Sequence, residues 1–159
     1  MFPRTSRFDQ YDAAVLPVPL VRLDPELPVP RYAKSGDAGI DLMAREEATV
    51  AAGGGRALVP TGVAVAIPNG YGGFILPRSG LALRHGLTVV NAPGLVDAGY
   101  RGELMVVLLN TDPHADVTVQ RGERIAQLVL MAVEHVSFVV VEDLAESERG
   151  SGGWGHTGR

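Results

Sequence analysis

Cysteine is absent from this chain of 159 residues. That absence excludes a disulfide framework, a thiolate metal site and a cysteine nucleophile, so any metal must be held by oxygen or imidazole ligands. Aromatic residues are scarce as well, at 6% of the sequence against 46% for all hydrophobic residues. The core must therefore be built from Val, Leu, Ile and Ala, and valine-rich runs favour strands over helices. Composition and length together predict one all-β domain.

The sequence also lacks a long apolar run and a cluster of positive charge. No run is long enough to span a membrane, and no apolar segment follows Arg4 and Arg7, so we expect a soluble, cytoplasmic protein with no membrane partner. The net charge of −4 and the scattered arginines argue against a nucleic-acid partner. A small anionic ligand is compatible with this charge, because it needs only a few well-placed donors.

Turn signals divide the chain into short runs. They are clusters of Gly, Pro, Asn and Asp at residues 53–55, 68–70, 91–94, 112–113 and 121–122. Short strands at this spacing are typical of a β-sandwich, a jelly roll or a barrel.

Two kinds of strand are expected between these turns. Val63, Val65 and Ile67 alternate with alanine, which predicts a strand with one buried face. Residues 104–109 are apolar without a break and residues 125–133 nearly so, which predicts that both faces of these strands are covered. Because a small single-layer core could not cover both faces, another sheet or another subunit must do so.

The ends of the chain and one internal segment depart from the strand pattern. Ser79–His85 is the helical candidate inside the domain, and Ser79 could cap it. We divide the chain into a proline-punctuated segment at residues 1–31 that should be a β-edge or an extended arm, a β domain at residues 32–142 and a flexible glycine-rich lid at residues 143–159.

Four segments carry residues suited to chemistry, and each has an ordinary structural alternative. Residues 37–42 place acidic residues beside a glycine, which a simple turn also explains. Residues 77–82 put an arginine, a hydroxyl and a glycine at a strand-to-helix junction, where free N–H groups attract phosphate; a capped helix would have the same residues. Residues 91–102 offer an Asn to read a pyrimidine edge, an Asp to polarise water and a Tyr to stack on a sugar, although turns select similar residues. The tail from Arg149 suits either a closing lid or a disordered terminus.

Taken together and in this order, the segments resemble the five motifs of the homotrimeric dUTP diphosphatases, the dUTPase family. The motifs correspond to residues 38–42 (AGIDL), 77–82 (PRSGLA), 91–102 (NAPGLVDAGYRG), 121–128 (RGERIAQL) and 149–158 (RGSGGWGHTG). The resemblance implies a distorted, barrel-like β jelly roll that assembles as a homotrimer with active sites at the subunit interfaces. It also implies hydrolysis of dUTP to dUMP and pyrophosphate by attack of water on the α-phosphorus. Such a reaction removes dUTP from the DNA precursor pool and supplies dUMP for dTMP synthesis.

The resemblance implies a role for three side chains of the third motif. Asn91, with the backbone around it, would read the uracil edge. Tyr100 would lie flat against the deoxyribose, where a 2′-hydroxyl would clash. Asp97 would be the general base that orients and deprotonates the attacking water.

The other motifs would handle the charge of the triphosphate. The phosphate donors implied by the resemblance are Arg78, Ser79, Gly80, Gln127 and, once the tail closes, Arg149. The implied cofactor is Mg²⁺, held mainly by the phosphates and water, so that Asp41 reaches the metal at most through another ligand.

The chain departs from the family pattern at two substrate-binding positions of the tail. Trp154 stands where the family usually has a phenylalanine that stacks on the uracil, and an indole should still stack there. His156 stands where many members have a serine, and an imidazole could donate to a phosphate in its place.

Two other functions stay open. A dCTP deaminase, or a bifunctional deaminase and diphosphatase, of the same superfamily would share the fold. Such chains generally lack the aromatic glycine-rich tail and carry Arg-Ser-Ser where this sequence has Arg78-Ser79-Gly80. A trimeric relative that binds dUTP without turning it over is the second alternative, and the presence of Asp97, Tyr100 and Arg149 argues against it.

Overall fold

Strands dominate the part of the chain that the computed structural model describes, residues 15–151. They are β1 (Leu20–Arg22), β2 (Ile40–Met43), β3 (Ala48–Val50), β4 (Arg56–Val65), β5 (Tyr71–Pro77), β6 (Leu87–Val89), β7 (Gly94–Val96), β8 (Glu103–Asn110), β9 (Val117–Val119) and β10 (Arg124–Ala132). One short helix, α1, spans Ser79–His85 between β5 and β6. The prediction of an all-β chain is confirmed.

Three antiparallel sheets share one hydrophobic core. The first has the strand order β1-β4-β8-β6, the second has the order β2-β10-β5-β7, and the third pairs β3 with β9. Buried aliphatic side chains from all three sheets meet in the core, among them Leu42, Val50, Val59, Leu104 and Ile125. Each such side chain stabilises the fold by about 1.5–3 kcal/mol relative to an exposed position. Aliphatic packing therefore holds the sheets together.

The apolar run at residues 104–109 lies in β8, where burial alternates along the strand. The even-numbered residues of β8 are buried and the odd-numbered residues are partly exposed. The odd-numbered residues form the face of the sheet that points away from the core, and on this face Leu58 of β4 lies opposite Val107 and is 60% exposed. We call the apolar surface formed by Leu58, Met105, Val107 and Leu109 the outer face. Since the described chain covers the outer face of β8 only in part, its cover by another subunit stays a prediction.

The alternating segment in β4 is buried more completely than its pattern predicts. Val63, Val65 and Ile67 face the core as expected. Ala64, which should be exposed, is only 8% exposed. Its small methyl group is flanked by the larger side chains of its cross-strand partners, Val21 and Glu103. The expectation of one exposed face is therefore wrong at Ala64.

The helix has the predicted bounds but a different N-terminus. Arg78, not Ser79, is the N-cap residue, and no side chain caps the helix. The backbone carbonyl of Arg78 instead accepts hydrogen bonds from Leu81 and Ala82. Gly86 ends the helix in the left-handed conformation, with φ of 60°. No helix within residues 15–151 is long and apolar enough to cross a membrane.

An ionic cluster ties the segment after β1 to the rest of the domain. Asp24 is 9% exposed and accepts hydrogen bonds from both terminal nitrogens of Arg121 in the turn before β10. Arg45 lies 3.7 Å from Asp24 and 3.3 Å from Glu103 at the start of β8. The Glu103 carboxylate also accepts the backbone N–H of Gly62 at 2.7 Å. We call Asp24, Arg45, Glu103 and Arg121 the Asp24 cluster.

Asp24 makes the stability of the fold depend on pH. The hydrogen bond from Arg121 lowers the pKa of Asp24 from 3.8 to about 2. Because the folded pKa is below the unfolded one, the stabilisation is complete above pH 3.8 and is lost as the pH falls through about 2. We expect Asp24→Asn to lower the melting temperature at pH 7, and this deficit to disappear between pH 4 and pH 2. Thermal denaturation followed by circular dichroism, with Glu46→Gln as an exposed control, measures both effects. A deficit that stayed constant down to pH 2 would contradict this assignment.

Candidate active site

Three predicted side chains of the third motif meet at one cavity. Asn91, Asp97 and Tyr100 line a space of about 180 Å³ beside β7 and the loops on either side of it. The other lining residues are largely apolar and come from β5 to β8: Ile75, Val89, Gly94, Leu95, Val96, Leu104, Met105 and Val107. We call this cavity the hairpin pocket. It combines one amide, one carboxylate and one phenol with apolar walls, which suits a small, flat, polar-edged ligand.

The pairing of β7 with β5 sets the backbone of the pocket. Gly94 lies opposite Ile75 in this antiparallel pair, directly after the cis peptide bond between Ala92 and Pro93. A Cβ at Gly94 would lie 3.2 Å from the Asn91 side-chain nitrogen and 3.4 Å from the Ile75 Cβ. The absence of a side chain at Gly94 therefore lets the Asn91 amide lie against the strand. No role was assigned to Gly94 from the sequence, although its place in the third motif was a signal.

Hydrogen bonds within the loop between β7 and β8 place Asp97 and Tyr100. The backbone N–H of Tyr100 donates to the Asp97 carbonyl at 3.0 Å, which closes a turn. Arg101 donates to the carbonyls of Ala98 and Tyr100, at 2.6 and 2.7 Å. The Tyr100 hydroxyl donates to the carbonyl of Glu103 at 2.8 Å. Both the carboxylate and the ring are therefore carried by a loop that is fixed at its two ends by strands.

The arginine of the second motif is oriented by two other motifs. Arg78 follows β5, and its Nε lies 3.1 Å from a carboxylate oxygen of Asp41 in β2. Its Nη1 donates to the backbone carbonyl of Arg124 at 3.0 Å. The Arg124 side chain lies 3.3 Å from the second oxygen of Asp41. We call Asp41, Arg78 and Arg124 the Asp41 cluster. No role could be assigned to Arg124 from the sequence, because its contact with Asp41 depends on the pairing of β10 with β2.

Gln127 lies beside the Asp41 cluster on the same sheet. In β10 it is the register partner of Asp41, and its side chain covers Gly39, where a Cβ would be 3.2 Å from the Gln127 Cβ. Ser79 and Gly80 form the first turn of α1, immediately after Arg78. The first, second and fourth motifs are thus adjacent, as a phosphate site would require.

The structure places the predicted residues in two groups. The hairpin pocket contains Asn91, Asp97 and Tyr100, and none of its lining residues belongs to the second group, which is Asp41, Arg78, Ser79, Gly80 and Gln127. Arg149 is exposed and lies beyond β10 in the C-terminal segment. Trp154 and His156 lie outside the described residues. Within residues 15–151 the two groups are not parts of one cavity.

Metal-binding residues are not clustered in the described chain. Within residues 15–151, no group of three or more His, Asp or Glu side chains is placed to hold a metal ion. Both carboxylate oxygens of Asp41 accept hydrogen bonds from arginines. Asp41 is therefore suited to orienting Arg78, and a cation at this site would need ligands from elsewhere.

Comparison with known proteins identifies the family. The family model described as dUTPase matches residues 25–158. This chain belongs to the dUTPase family. It is 62% identical over 141 residues to the deoxyuridine 5′-triphosphate nucleotidohydrolase of Thermobifida fusca, covering 89% of this chain and 78% of that protein. The enzyme of the same name from Nocardia farcinica is 56% identical over 146 residues, covering 92% and 88% of the two chains.

Solved dUTPase structures have the same fold. The dUTPase of Staphylococcus bacteriophage 80alpha, solved with dUPNHPP, superposes with a TM-score of 0.84 at 27% identity. The superposition covers 91% of this chain and 100% of the phage protein. A dUTPase from phage phi11 of S. aureus superposes with a TM-score of 0.74 at 24% identity, covering 80% and 98% of the two chains. The predictions of a dUTPase-type all-β fold and of a dUTP diphosphatase are confirmed.

The Asp41 cluster predicts how Asp41 contributes to activity. Asp41→Asn removes the charge that orients Arg78, so we expect the KM for dUTP to rise about tenfold, the scale of a lost hydrogen bond to a charged group. The Mg²⁺ concentration for half-maximal activity should stay the same, because both Asp41 oxygens bind arginines. Asp37→Asn, on the exposed segment before β2, is the control. A large increase in the Mg²⁺ requirement of Asp41→Asn would instead make Asp41 a metal ligand.

Proposed function

We propose that this protein hydrolyses dUTP to dUMP and pyrophosphate with Asp97 as the general base. The observation that carries the proposal is the convergence of Asn91, Asp97 and Tyr100 on one cavity. The apolar walls suit the faces of a pyrimidine, and the Asn91 amide suits its polar edge. Cytosine presents the opposite donor and acceptor at its fourth position, so it would leave buried polar groups unpaired.

The size of the hairpin pocket indicates which part of the substrate it holds. Its volume of about 180 Å³ is below the roughly 300–1,000 Å³ usual for sites that enclose a whole small ligand. Base and sugar are the parts that suit an apolar cavity, whereas a triphosphate needs donors. Tyr100, half-exposed at the cavity, supplies the flat surface for the deoxyribose. The phosphates must then extend to donors outside the pocket.

The second group of residues supplies such donors. Arg78 uses Nε and Nη1 for contacts within residues 15–151, so Nη2 is the nitrogen that it offers to a phosphate oxygen. Charge-assisted hydrogen bonds of this kind are stronger than neutral ones. Ser79, Gly80 and Gln127 donate from the adjacent positions, and we assign the grip on the γ-phosphate to Arg149. We assign stacking on the uracil to Trp154 and donation to a phosphate to His156.

Asp97 orients and deprotonates the water that attacks the α-phosphorus. It is exposed at the hairpin pocket, and the turn closed by Tyr100 holds its backbone. Closure of the C-terminal lid would exclude bulk water and keep the nucleophile in line with the scissile bond. Positioning and electrostatic stabilisation of this kind account for most catalysis of phosphoryl transfer.

Mg²⁺ is the proposed cofactor. The phage phi11 dUTPase has a structural Mg(II) ion. In this chain the cation would be held mainly by substrate phosphates and water, an arrangement that Mg²⁺ favours at nucleotide sites. It would neutralise part of the charge of the triphosphate, while Asp41 keeps its contacts with Arg78 and Arg124.

We propose that the complete site forms between subunits of a homotrimer. Two observations support this assembly. The base-binding and phosphate-binding residues lie in separate groups within one chain, so residues from a neighbour would complete each site. The outer face is an apolar surface on the first sheet, and another subunit would cover it at Leu58 and Leu109, beside Met105 and Val107, which also line the hairpin pocket. A cytoplasmic location and the lack of nucleic-acid and membrane partners stay predictions.

The reaction can be tested with a panel of nucleotides. The purified protein with Mg²⁺ is incubated with dUTP, UTP, dCTP and dTTP, and pyrophosphate, orthophosphate and ammonia are measured. We expect pyrophosphate from dUTP alone. Ammonia from dCTP would indicate the deaminase reaction, and no product from any nucleotide would indicate a protein that binds without turnover.

The same assay tests Asp97 as the base. Asp97→Asn should keep its affinity for dUTP in a binding measurement, while kcat falls by about a thousandfold or more, because only the proton transfer and water orientation are lost. Asp116→Asn, in the turn before β9, is the matched control. Turnover near that of the unmodified protein would remove Asp97 from this role.

The outer face predicts the effect of a charge on assembly. Leu58→Glu puts a carboxylate on a side chain that is 60% exposed in one chain, so the chain itself should fold. We expect light scattering after size exclusion to show monomers, and we expect activity to be lost with the trimer. Val21→Glu on β1, at 59% exposure, is the matched control and should stay trimeric. An active trimer of Leu58→Glu would place the interface on another surface.

A further inference from the structure

The Tyr100 ring lies directly against the backbone of Gly102. A Cβ at Gly102 would lie 2.7 Å from the ring atom Cζ and 3.1 Å from Cε2, and closer still to the hydroxyl oxygen. Real Cβ atoms do not approach other heavy atoms so closely, so any side chain at this position would displace the ring. Gly102 is not among the glycines with positive φ. Its backbone would therefore accept alanine, and the three nearest atoms that the added Cβ would meet all belong to Tyr100.

The hydroxyl end of the same ring is held by Glu103. The Glu103 carbonyl accepts the Tyr100 hydroxyl at 2.8 Å. The Glu103 side chain is itself anchored by Gly62 and Arg45, at 2.7 and 3.3 Å, as part of the Asp24 cluster. The acceptor therefore belongs to the fixed start of β8. Without the hydrogen bond to Glu103, a ring that is 44% exposed would exchange between rotamers.

We propose that Gly102 is a positioning residue for sugar selectivity. Because it lacks a Cβ, it admits the Tyr100 ring to the one position in which Glu103 can hold the hydroxyl. A ring fixed in this way would clash with the 2′-hydroxyl of a ribose, whereas a mobile ring would move aside and tolerate the ribose. The inference rests on the proposed contact between Tyr100 and the deoxyribose.

Gly102→Ala tests the proposal through the ratio of kcat/KM for dUTP to kcat/KM for UTP. We expect this ratio to fall by about tenfold or more, the scale on which pocket contacts discriminate between similar substrates. The melting temperature should change little, because the added methyl displaces only an exposed ring. Gly99→Ala is the matched control, since it adds the same methyl in the same loop where no atom lies within 4 Å. A ratio equal to that of Gly99→Ala would overturn the proposal.

Variants of Tyr100 separate this proposal from the one on which it rests. Tyr100→Phe removes only the hydrogen bond to Glu103 and should lose part of the selectivity, while Tyr100→Ala should lose more of it and keep the part that other contacts supply. Adding Gly102→Ala to Tyr100→Ala should change the ratio no further, because the ring through which Gly102 acts is gone. A further loss in the double variant would show that Gly102 acts independently of the ring and would overturn the inference. Full selectivity in Tyr100→Ala would instead overturn the sugar contact itself.

Discussion

The packing of aliphatic side chains between three small sheets is the constraint on which the rest of this molecule depends. With few aromatic residues, the core relies on branched side chains such as Val106 and Leu108, which are completely buried in β8. β8 lies between β4 and β6, and the loop that carries Asp97 and Tyr100 leads directly into it. The hairpin pocket is therefore a product of core packing, because its walls are residues of the same strands that form the core.

Acidic side chains held by arginines connect segments that the sheets alone would leave separate. Asp24 joins the segment after β1 to the turn before β10, and Asp41 joins β2 to the ends of β5 and β10. Guanidinium groups suit these positions because they present several donors in a plane and can contact two partners at once. In the proposed reaction this property has a chemical use, since Arg78 is oriented by two of its nitrogens and would offer the third to a phosphate.

Local patterns predicted strands within β4, β8 and β10, the turns between strands and the bounds of the helix, and the ordered motifs predicted the family. Long-range features could not be predicted, because periodicity describes one segment and not its partner. The burial of Ala64 depends on its neighbours in β1 and β8, and the role of Arg124 depends on the register of β10 against β2. The N-cap at Arg78 was missed because a serine near a helix start is a frequent cap but not a necessary one. The motifs named candidate site residues whose roles stay predictions, and the two groups in which the structure places them could not be located from the sequence because they depend on strand pairing.

The division of the proposed site into two groups has a consequence for genetic complementation between mutant alleles. On the proposed trimer, a chain defective in the hairpin pocket and a chain defective at Arg78 would carry complementary lesions. Mixed trimers of the two would contain some sites built from the intact half of each, so two inactive alleles could restore function in one cell. Conversely, a chain defective in both the hairpin pocket and the Arg78 group would inactivate the sites that it shares with unmodified subunits. Such an allele would act dominantly.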